Sequence, residues 1–138
     1  AAALRTLAGR GERLIAVFQP HGFQPTKMMR EGYIEVFSTL LGPGDLVIMP
    51  EIYYAGGALN YVDGKAIPLP REISSQEVVD GINNRRGNAV YFQERAAIPA
   101  YLAEHTARGD VIAVMGSRDE TLPDFAREIV REIAERGG

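Results

Sequence analysis

The sequence predicts an α/β fold of Rossmann-like type, a three-layer sandwich with a mostly parallel sheet and helices on both faces. Three observations lead to this prediction. Four short apolar runs, rich in β-branched or aromatic residues, are continuous rather than alternating, which is typical of strands buried on both faces. Helical periodicities separate these runs, and such alternation favours right-handed crossovers. The length of 138 residues suits one core, so residues 1–138 are interpreted as a single domain.

The four apolar runs define the predicted strands. Each contains four or five consecutive apolar residues and is followed by a more polar, irregular stretch. The strands are predicted at Leu14 to Phe18, Leu46 to Met49, Ala89 to Phe92 and Val111 to Met115.

Helical patterns lie between and around these strands. An apolar stripe at spacings of three and four predicts a helix that ends at Gly42-Pro43. Ser-Ser-Gln-Glu at 74–77 has the spacing of a capping box and predicts the start of the next helix. In the following helix Pro99 is tolerated only in the first turn. The predicted helices cover about 29–40, 75–82, 98–107 and 122–133, with a further helix over 2–8 that is cut at its front.

The long connection from 55 to 73 contains one more pattern. Asp63-Gly64 lies between residues 60–62 and 65–67, which alternate in the manner of short strands. Asp-Gly is a preferred pair for a two-residue turn, so this stretch is consistent with a small hairpin and a type I′ turn.

Composition excludes several classes of partner and site. The net charge is −3, so no overall basic field attracts nucleic acid or an anionic membrane surface, and we expect neither as a partner. No apolar run approaches the ~20 residues of a membrane span. There is no cysteine, and the two histidines lack a metal-binding spacing, so no metal site is expected. Phosphate loops, dinucleotide fingerprints and nucleophile elbows are also missing, so this chain encodes no independent ATP or NAD site.

Candidate site residues follow the predicted strands, because ligands of open parallel sheets bind at the carboxyl ends of the strands. After the first strand, His21 offers a titratable group, and Lys27 adds a cation near the start of a helix. The alternative is that His21 caps a loop through backbone hydrogen bonds and Lys27 is solvated. His105, late in a helix, is interpreted as a favourable cation near the helix C-terminus.

Two further strand ends carry candidates. Tyr53, followed by small residues, presents a hydroxyl where a ligand can approach the backbone, although a turn with packing tyrosines explains the same pattern. Arg118 and Asp119 precede the last helix, where an arginine and backbone N–H groups can bind a carboxylate or phosphate. Alternatively these two side chains pair with each other at the surface.

Several of these motifs, taken in order, resemble the C-terminal domain of the Mur ligases, and above all the branch that joins L-alanine to UDP-N-acetylmuramate. The resemblance covers nearly the whole chain. It rests on Phe-Gln-Pro-His at 18–21, Glu-Ile-Tyr-Tyr-Ala-Gly at 51–56, Ser74-Ser75, Gly-Asp at 109–110 before a hydrophobic strand, and Gly116 with Asp119.

The resemblance implies a function. Mur ligases are three-domain cytoplasmic enzymes of peptidoglycan precursor synthesis that use ATP and Mg²⁺. A central domain phosphorylates a carboxylate of the UDP-sugar substrate, and the C-terminal domain presents the incoming amino acid. By this resemblance His21, Lys27, Tyr53 and Asp119 are substrate-binding residues, no catalytic residue is assigned, and the fragment alone is inactive and binds no cofactor. The alternative is a non-catalytic Rossmann-like module that binds a small ligand or a partner.

The chain also departs from the family pattern. Gly22 and Pro25 stand where these ligases carry Arg, and Gly57 stands where they carry Glu. The amino-acid substrate is therefore left open, and Arg118 is expected to supply the lost charge from the opposite loop.

The start of the chain leads to a separate expectation. The sequence begins Ala-Ala-Ala-Leu-Arg, inside the helix that follows the family's first strand, so we interpret it as a piece of a longer chain without its ATP-binding and UDP-binding domains. A sheet that lacks this strand exposes an edge or a face. We expect self-association there, or reordering of residues 1–9.

Overall fold

The computed structural model describes residues 13–42, 44–53, 59–62, 65–68, 73–85, 87–116 and 121–137. A 3₁₀ turn at Arg95–Ala97 precedes the third helix. The strands are β1 (Leu14–Phe18), β2 (Leu46–Pro50), β3 (Leu59–Val62), β4 (Lys65–Pro68), β5 (Ala89–Phe92) and β6 (Val111–Met115). The helices are α1 (Phe23–Leu40), α2 (Ser75–Arg85), α3 (Ile98–His105) and α4 (Leu122–Gly137).

The four predicted strands form one parallel sheet in the order β5-β2-β1-β6. β1 lies inside the sheet, paired with β2 on one side and with all five residues of β6 on the other. The chain moves outward from β1 through β2 to β5 and then returns to β6. The carboxyl ends of the four strands therefore lie at one edge of the sheet, because all four strands run in the same direction.

Helices cover both faces of this sheet, which confirms the predicted α/β sandwich. Leu14 and Ala16 face α1 and α2, whereas Ile15 and Val17 face α3 and α4. These four side chains are fully buried, so β1 is apolar on both sides. This double burial explains the continuous apolar pattern of the sequence.

Local signals account for the helix ends. The capping box at α2 is confirmed: the Gln76 N–H donates to Ser74 Oγ at 3.1 Å, and the Ser74 N–H donates to Glu77 Oε2 at 3.1 Å. Pro99 lies in the first turn of α3, as predicted. α1 begins at Phe23, earlier than its apolar stripe indicates, because Pro25 is compatible with a first turn.

The remaining predicted elements lie partly outside the described residues. β3 and β4 are antiparallel, and Val62 pairs with Lys65, which confirms the hairpin. Its turn at 63–64 and the predicted helix at 2–8 belong to the part of the chain that the structure does not describe. Among the helices it does describe, none is long and apolar enough to cross a membrane.

Apolar cavities flank β6, which is a border strand of the sheet. All five of its residues are partly exposed. On one face a cavity of about 260 Å³ lies between α1 and the end of β6, lined by Phe18, Met29, Gly32, Tyr33, Val36, Phe37 and Met115. On the other face a cavity of about 530 Å³ lies against α4, lined by Val114, Met115, Gly116, Leu122, Pro123 and Ala126.

Candidate functional site

The segments that follow β1 and β2 continue side by side past the end of the sheet. The Tyr53 N–H donates to the Pro20 carbonyl at 2.9 Å, and the Gly22 N–H donates to the Tyr53 carbonyl at 2.8 Å. These bonds make His21 and Tyr53 a parallel bridge pair, and their rings lie 5.6 Å apart between centroids. The structure therefore brings together two of the predicted site residues.

His21 has a ring nitrogen without a partner. Its Nε2 is buried, and no described residue offers it a hydrogen bond. A buried polar atom of this kind costs about 1–3 kcal/mol of desolvation that nothing in the described part of the chain repays. Such an atom at a strand end is suited to contact a ligand.

Gly22 sets the direction in which the chain leaves His21. Its φ of 80° lies in the left-handed region, and a Cβ there would come within 3.2 Å of the Pro25 ring. The Gly22 carbonyl accepts from the Thr26 hydroxyl at 2.7 Å, which anchors the first turn of α1. The backbone thus disfavours a longer side chain at 22, and the ring of Pro25 packs into the same space.

The remaining predicted site residues are Lys27, Arg118 and Asp119. Lys27 is exposed in the second turn of α1, a few residues beyond His21. Arg118 and Asp119 lie outside the described residues, so their place at this edge stays a prediction. His105 is the last residue of α3 and is exposed, with its Nδ1 2.8 Å from the Tyr101 carbonyl oxygen.

Gln19 connects the strand ends, a role that the sequence did not reveal. It is only 3% exposed, and its Nε2 donates to the carbonyls of Pro20 at 2.9 Å and Glu51 at 2.8 Å. Its backbone N–H donates to the Met115 carbonyl at 2.9 Å. One side chain and its backbone therefore join the ends of β1, β2 and β6.

Arg95 is a second residue that the sequence did not single out. It lies in the 3₁₀ turn after β5, and its guanidinium donates to Gln19 Oε1 at 3.2 Å and to Thr121 Oγ1 at 2.5 Å. The guanidinium carbon lies 5.9 Å from the Tyr53 ring centroid and 4.9 Å from that of Phe125. A cation from the β5 end is thus held against the ring that neighbours His21.

Glu51 fixes the start of α2. Its carboxylate accepts from the Ser74 hydroxyl at 2.6 Å, the Ser75 N–H at 3.1 Å and the Tyr91 hydroxyl at 2.5 Å. Burial by itself raises the pKa of Glu51, but these hydrogen bonds and one from the Ile52 N–H outweigh it and lower the pKa below its ordinary value. A carboxylate at a helix N-terminus is also favoured by the helix dipole, so this anion position is filled by the chain itself.

At the opposite edge of the sheet, Arg13 and Asp110 form an ion pair at 2.6 Å. The hydrogen bond from Arg13 lowers the pKa of Asp110, and Arg13 also donates to the His105 carbonyl at 2.7 Å. These contacts join the amino ends of β1 and β6 and are structural.

Metal ligands are not clustered in the described part of the chain: it contains no group of three or more His, Asp or Glu side chains that could hold an ion. The described residues therefore do not fit a Mg²⁺ site. The carboxyl edge offers instead an imidazole nitrogen that has no hydrogen-bond partner among the described residues, beside the Tyr53 ring.

Curated proteins similar to this chain are all of one kind. The chain is 30% identical to a UDP-N-acetylmuramate–L-alanine ligase of Mycolicibacterium gilvum over 97% of its length, and 26% identical to one of Microcystis aeruginosa over 99%. A third, from Cutibacterium acnes, is 31% identical over 88%. The chain spans about a quarter of the length of these relatives, between 22% and 26%. No protein-family model matches it.

Proposed function

We propose, on the premise that this chain belongs to the Mur ligase family, that it is the amino-acid-positioning domain of an ATP-dependent ligase. The enzyme would join an amino acid to a carboxylate of a UDP-sugar in peptidoglycan precursor synthesis, in the cytoplasm. Similarity across 97–99% of the chain to ligases whose name specifies UDP-N-acetylmuramate and L-alanine is the observation that carries this proposal.

The small share of each relative that the chain covers supports a division of labour. About three quarters of the relatives' length has no counterpart here, and the chain has no phosphate loop. Residues 1–138 would therefore be one C-terminal domain, and separate domains of the intact protein would bind ATP, Mg²⁺ and the UDP-sugar. ATP with Mg²⁺ supplies the activation of the carboxylate when bound to those domains.

The carboxyl edge would hold the amine for attack on the activated carboxylate. This task is one of positioning: the amine must lie near the acyl carbon while water is kept away. His21 Nε2, which is buried and has no partner among the described residues, is suited to accept a hydrogen bond from the amine. The Tyr53 ring lies beside the imidazole, with the ring centroids 5.6 Å apart. Lys27 would add positive charge near the anionic substrates.

An assay of the intact protein tests the proposal. With UDP-N-acetylmuramate, ATP, Mg²⁺ and a panel of amino acids, we expect ADP release that depends on both the sugar and one amino acid, with formation of the amide. The 138-residue chain alone should release no ADP under the same conditions. If the intact protein forms no amide with any amino acid of the panel, the proposal is wrong.

Calorimetric titration separates this function from a free-standing binding module. The ligase assignment expects little heat when nucleotides, amino acids or UDP-sugars are added to the isolated chain, because the remaining domains are needed to complete the site. Tight binding of one of these ligands by the isolated chain would favour the non-catalytic module. The sequence upstream of Ala1 gives a second check, since the ligase requires a phosphate loop there.

A further inference from the structure

We infer that Gln19 is a positioning residue: it holds the backbone that carries His21 and so keeps the imidazole where it can contact the incoming amine. This role rests on the proposed function, and it belongs to a residue that acts through His21 rather than on the substrate. Gln19 lies directly after β1, two residues before His21.

The pairing of the two strand ends is irregular on the way to His21. Val17 pairs with Ile48 in the sheet, whereas His21 pairs with Tyr53. Four steps along the first segment therefore run beside five steps along the second, so the second segment contains one extra residue. Such a bulge redirects side chains, and bulges are common beside active sites. The regular ladder of β1 and β2 therefore does not set the direction of the His21 side chain.

Proline removes a backbone donor from the same stretch. Pro20 has no N–H and cannot donate to the neighbouring segment. The Gln19 side chain supplies donors here: its Nε2 donates to the Pro20 carbonyl at 2.9 Å and to the Glu51 carbonyl at 2.8 Å. Glu51 belongs to the segment with the extra residue. One side-chain amide thus joins the two segments where their ladder is interrupted.

The Pro20 carbonyl fixes the peptide bond that leads into His21. Its oxygen accepts from Gln19 Nε2 and also from the Tyr53 N–H at 2.9 Å, which uses both of its lone pairs. The next peptide bond is held as well, because the Gly22 N–H donates to the Tyr53 carbonyl at 2.8 Å. Peptide bonds are planar, so two fixed planes determine the direction of the bond from Cα to Cβ of His21.

Gln19 is itself anchored by its surroundings. It is only 3% exposed, and its backbone N–H donates to the Met115 carbonyl at 2.9 Å. A Cβ at Gly116 would lie 3.1 Å from the Gln19 carbonyl oxygen, so the end of β6 packs closely against it. Its Oε1 accepts from the Arg95 guanidinium at 3.2 Å. A flipped amide would turn Oε1 toward two carbonyl oxygens and Nε2 toward a cation, so the amide has one favourable orientation.

His21 needs such support because its Nε2 is buried without a hydrogen bond to any described residue. An unpaired buried nitrogen is unfavourable, so a backbone that could turn would carry the imidazole to water or to another partner. The Gln19 amide opposes that turn by holding the Pro20 carbonyl. Nε2 therefore stays available for a substrate amine.

Gln19→Glu tests this role in the intact enzyme. The substitution keeps the length of the side chain and an oxygen that can accept from Arg95, but it removes the donors to Pro20 and Glu51. We expect kcat/KM for the amino acid to fall about ten- to a hundredfold, while the KM values for ATP and the UDP-sugar change less than about twofold.

A double-mutant cycle with His21→Ala separates positioning from a merely structural role. If Gln19 acts through His21, the Gln19→Glu/His21→Ala double variant should be no more than about twofold less active than His21→Ala alone. A merely structural contribution would lower kcat/KM by the same factor whether or not the imidazole is present, so the two losses would multiply.

Asn84→Asp is the matched control. It makes the same change from amide to carboxylate at an exposed position near the end of α2, at the opposite edge of the sheet, and should leave kcat/KM unaltered. If Gln19→Glu does not fold, Gln19→Met, which has a similar length and no N–H donor, enters the same cycle.

Two results overturn the role of Gln19 while ligation by the unaltered enzyme still supports the proposed function. One is a double variant in which the separate losses multiply. The other is full activity of the Gln19 variant or of His21→Ala. Absence of ligation by the unaltered enzyme overturns both the role of Gln19 and the proposed function.

Discussion

At the scale of single residues, Glu51 makes the stability of the fold depend on acid. Its pKa is lower in the folded chain than its ordinary value of 4.5, so the folded state gains stability at pH values above that. The gain is lost as the pH falls through the folded value. We expect Glu51→Gln to lower the unfolding free energy by about 1–3 kcal/mol at pH 7 and by progressively less below pH ~4.5.

Urea unfolding of the unaltered chain and of the Glu51→Gln variant between pH 3 and pH 7 measures this effect. Glu135→Gln is the matched control, because Glu135 is exposed on α4. Asp110 also loses stabilisation in acid, so both chains should weaken, but the difference between them belongs to Glu51. A difference that stays constant down to pH 3 would contradict the prediction.

The predicted site residues lead to a second prediction at this scale. In the intact enzyme, Lys27→Ala or Arg118→Ala should lower kcat/KM by the loss of one charge-assisted contact, ~1.5–3 kcal/mol or about ten- to a hundredfold. His21→Ala should act in the same way, because it removes the buried Nε2. His105→Ala is the control, since His105 ends α3 at the far edge, and it should change activity little. Full activity of the Lys27→Ala, Arg118→Ala and His21→Ala variants would refute the assignment.

At the scale of elements, the packing of α1 on α2 depends on Gly81. A Cβ at 81 would lie 2.3 Å from Ile34 Cδ1 and 2.8 Å from Cγ1, and Ile34 is only 5% exposed. Overpacking of this kind costs about 1–3 kcal/mol, which exceeds the gain of up to ~1 kcal/mol from replacing glycine in a helix. We therefore expect Gly81→Ala to destabilise the chain in urea unfolding.

Gly32 provides the matched comparison, because it also lies in the middle of a helix. It is exposed, and a Cβ there would be 3.5 Å from Met29 Cε. Gly32→Ala should stabilise the chain by about 0.5–1 kcal/mol through helix propensity. If Gly81→Ala and Gly32→Ala changed the unfolding free energy in the same direction, the contact with Ile34 would not limit the packing of α1 on α2.

Elements were predictable where the signal is local. Continuous apolar runs predicted all four parallel strands, and the spacing of Ser74 and Glu77 predicted the start of α2. The site was predictable only in part. His21 and Tyr53 follow strands in the sequence, but the contacts of Arg95 reach Gln19 and Thr121, which are 76 and 26 residues away. No local pattern encodes a contact of that range, because it depends on how the strands are ordered in the sheet.

At the scale of the whole molecule, β6 is a surface suited to association among the residues that the structure describes. It borders the sheet, its five residues are partly exposed, and apolar cavities lie on both of its faces. A border strand of this kind pairs readily with another chain. We expect the 138-residue chain to self-associate in sedimentation experiments, with a weight-average mass that rises with concentration.

A charge on the border strand tests where the association occurs. Ala113→Lys places an ammonium in the middle of β6 and should shift the chain toward monomer, since lysine blocks edge pairing. Ala134→Lys, on the exposed side of α4, should leave the association unchanged. Monomer at every concentration in the unaltered chain would contradict the prediction.

The order of the strands also determines when each part of the molecule can fold. Of the strands in the parallel sheet, β1, β2 and β5 come first along the chain, so they can assemble with α1 and α2 once residue 92 has left the ribosome. β6 joins them later, because it begins only at Val111. The ion pair that joins its start to β1 spans 97 residues. Contacts of such long range slow folding. During synthesis the side chains of Ile15 and Val17 therefore remain exposed until α3 and α4 have formed. We expect the nascent chain to be most prone to aggregation in that interval.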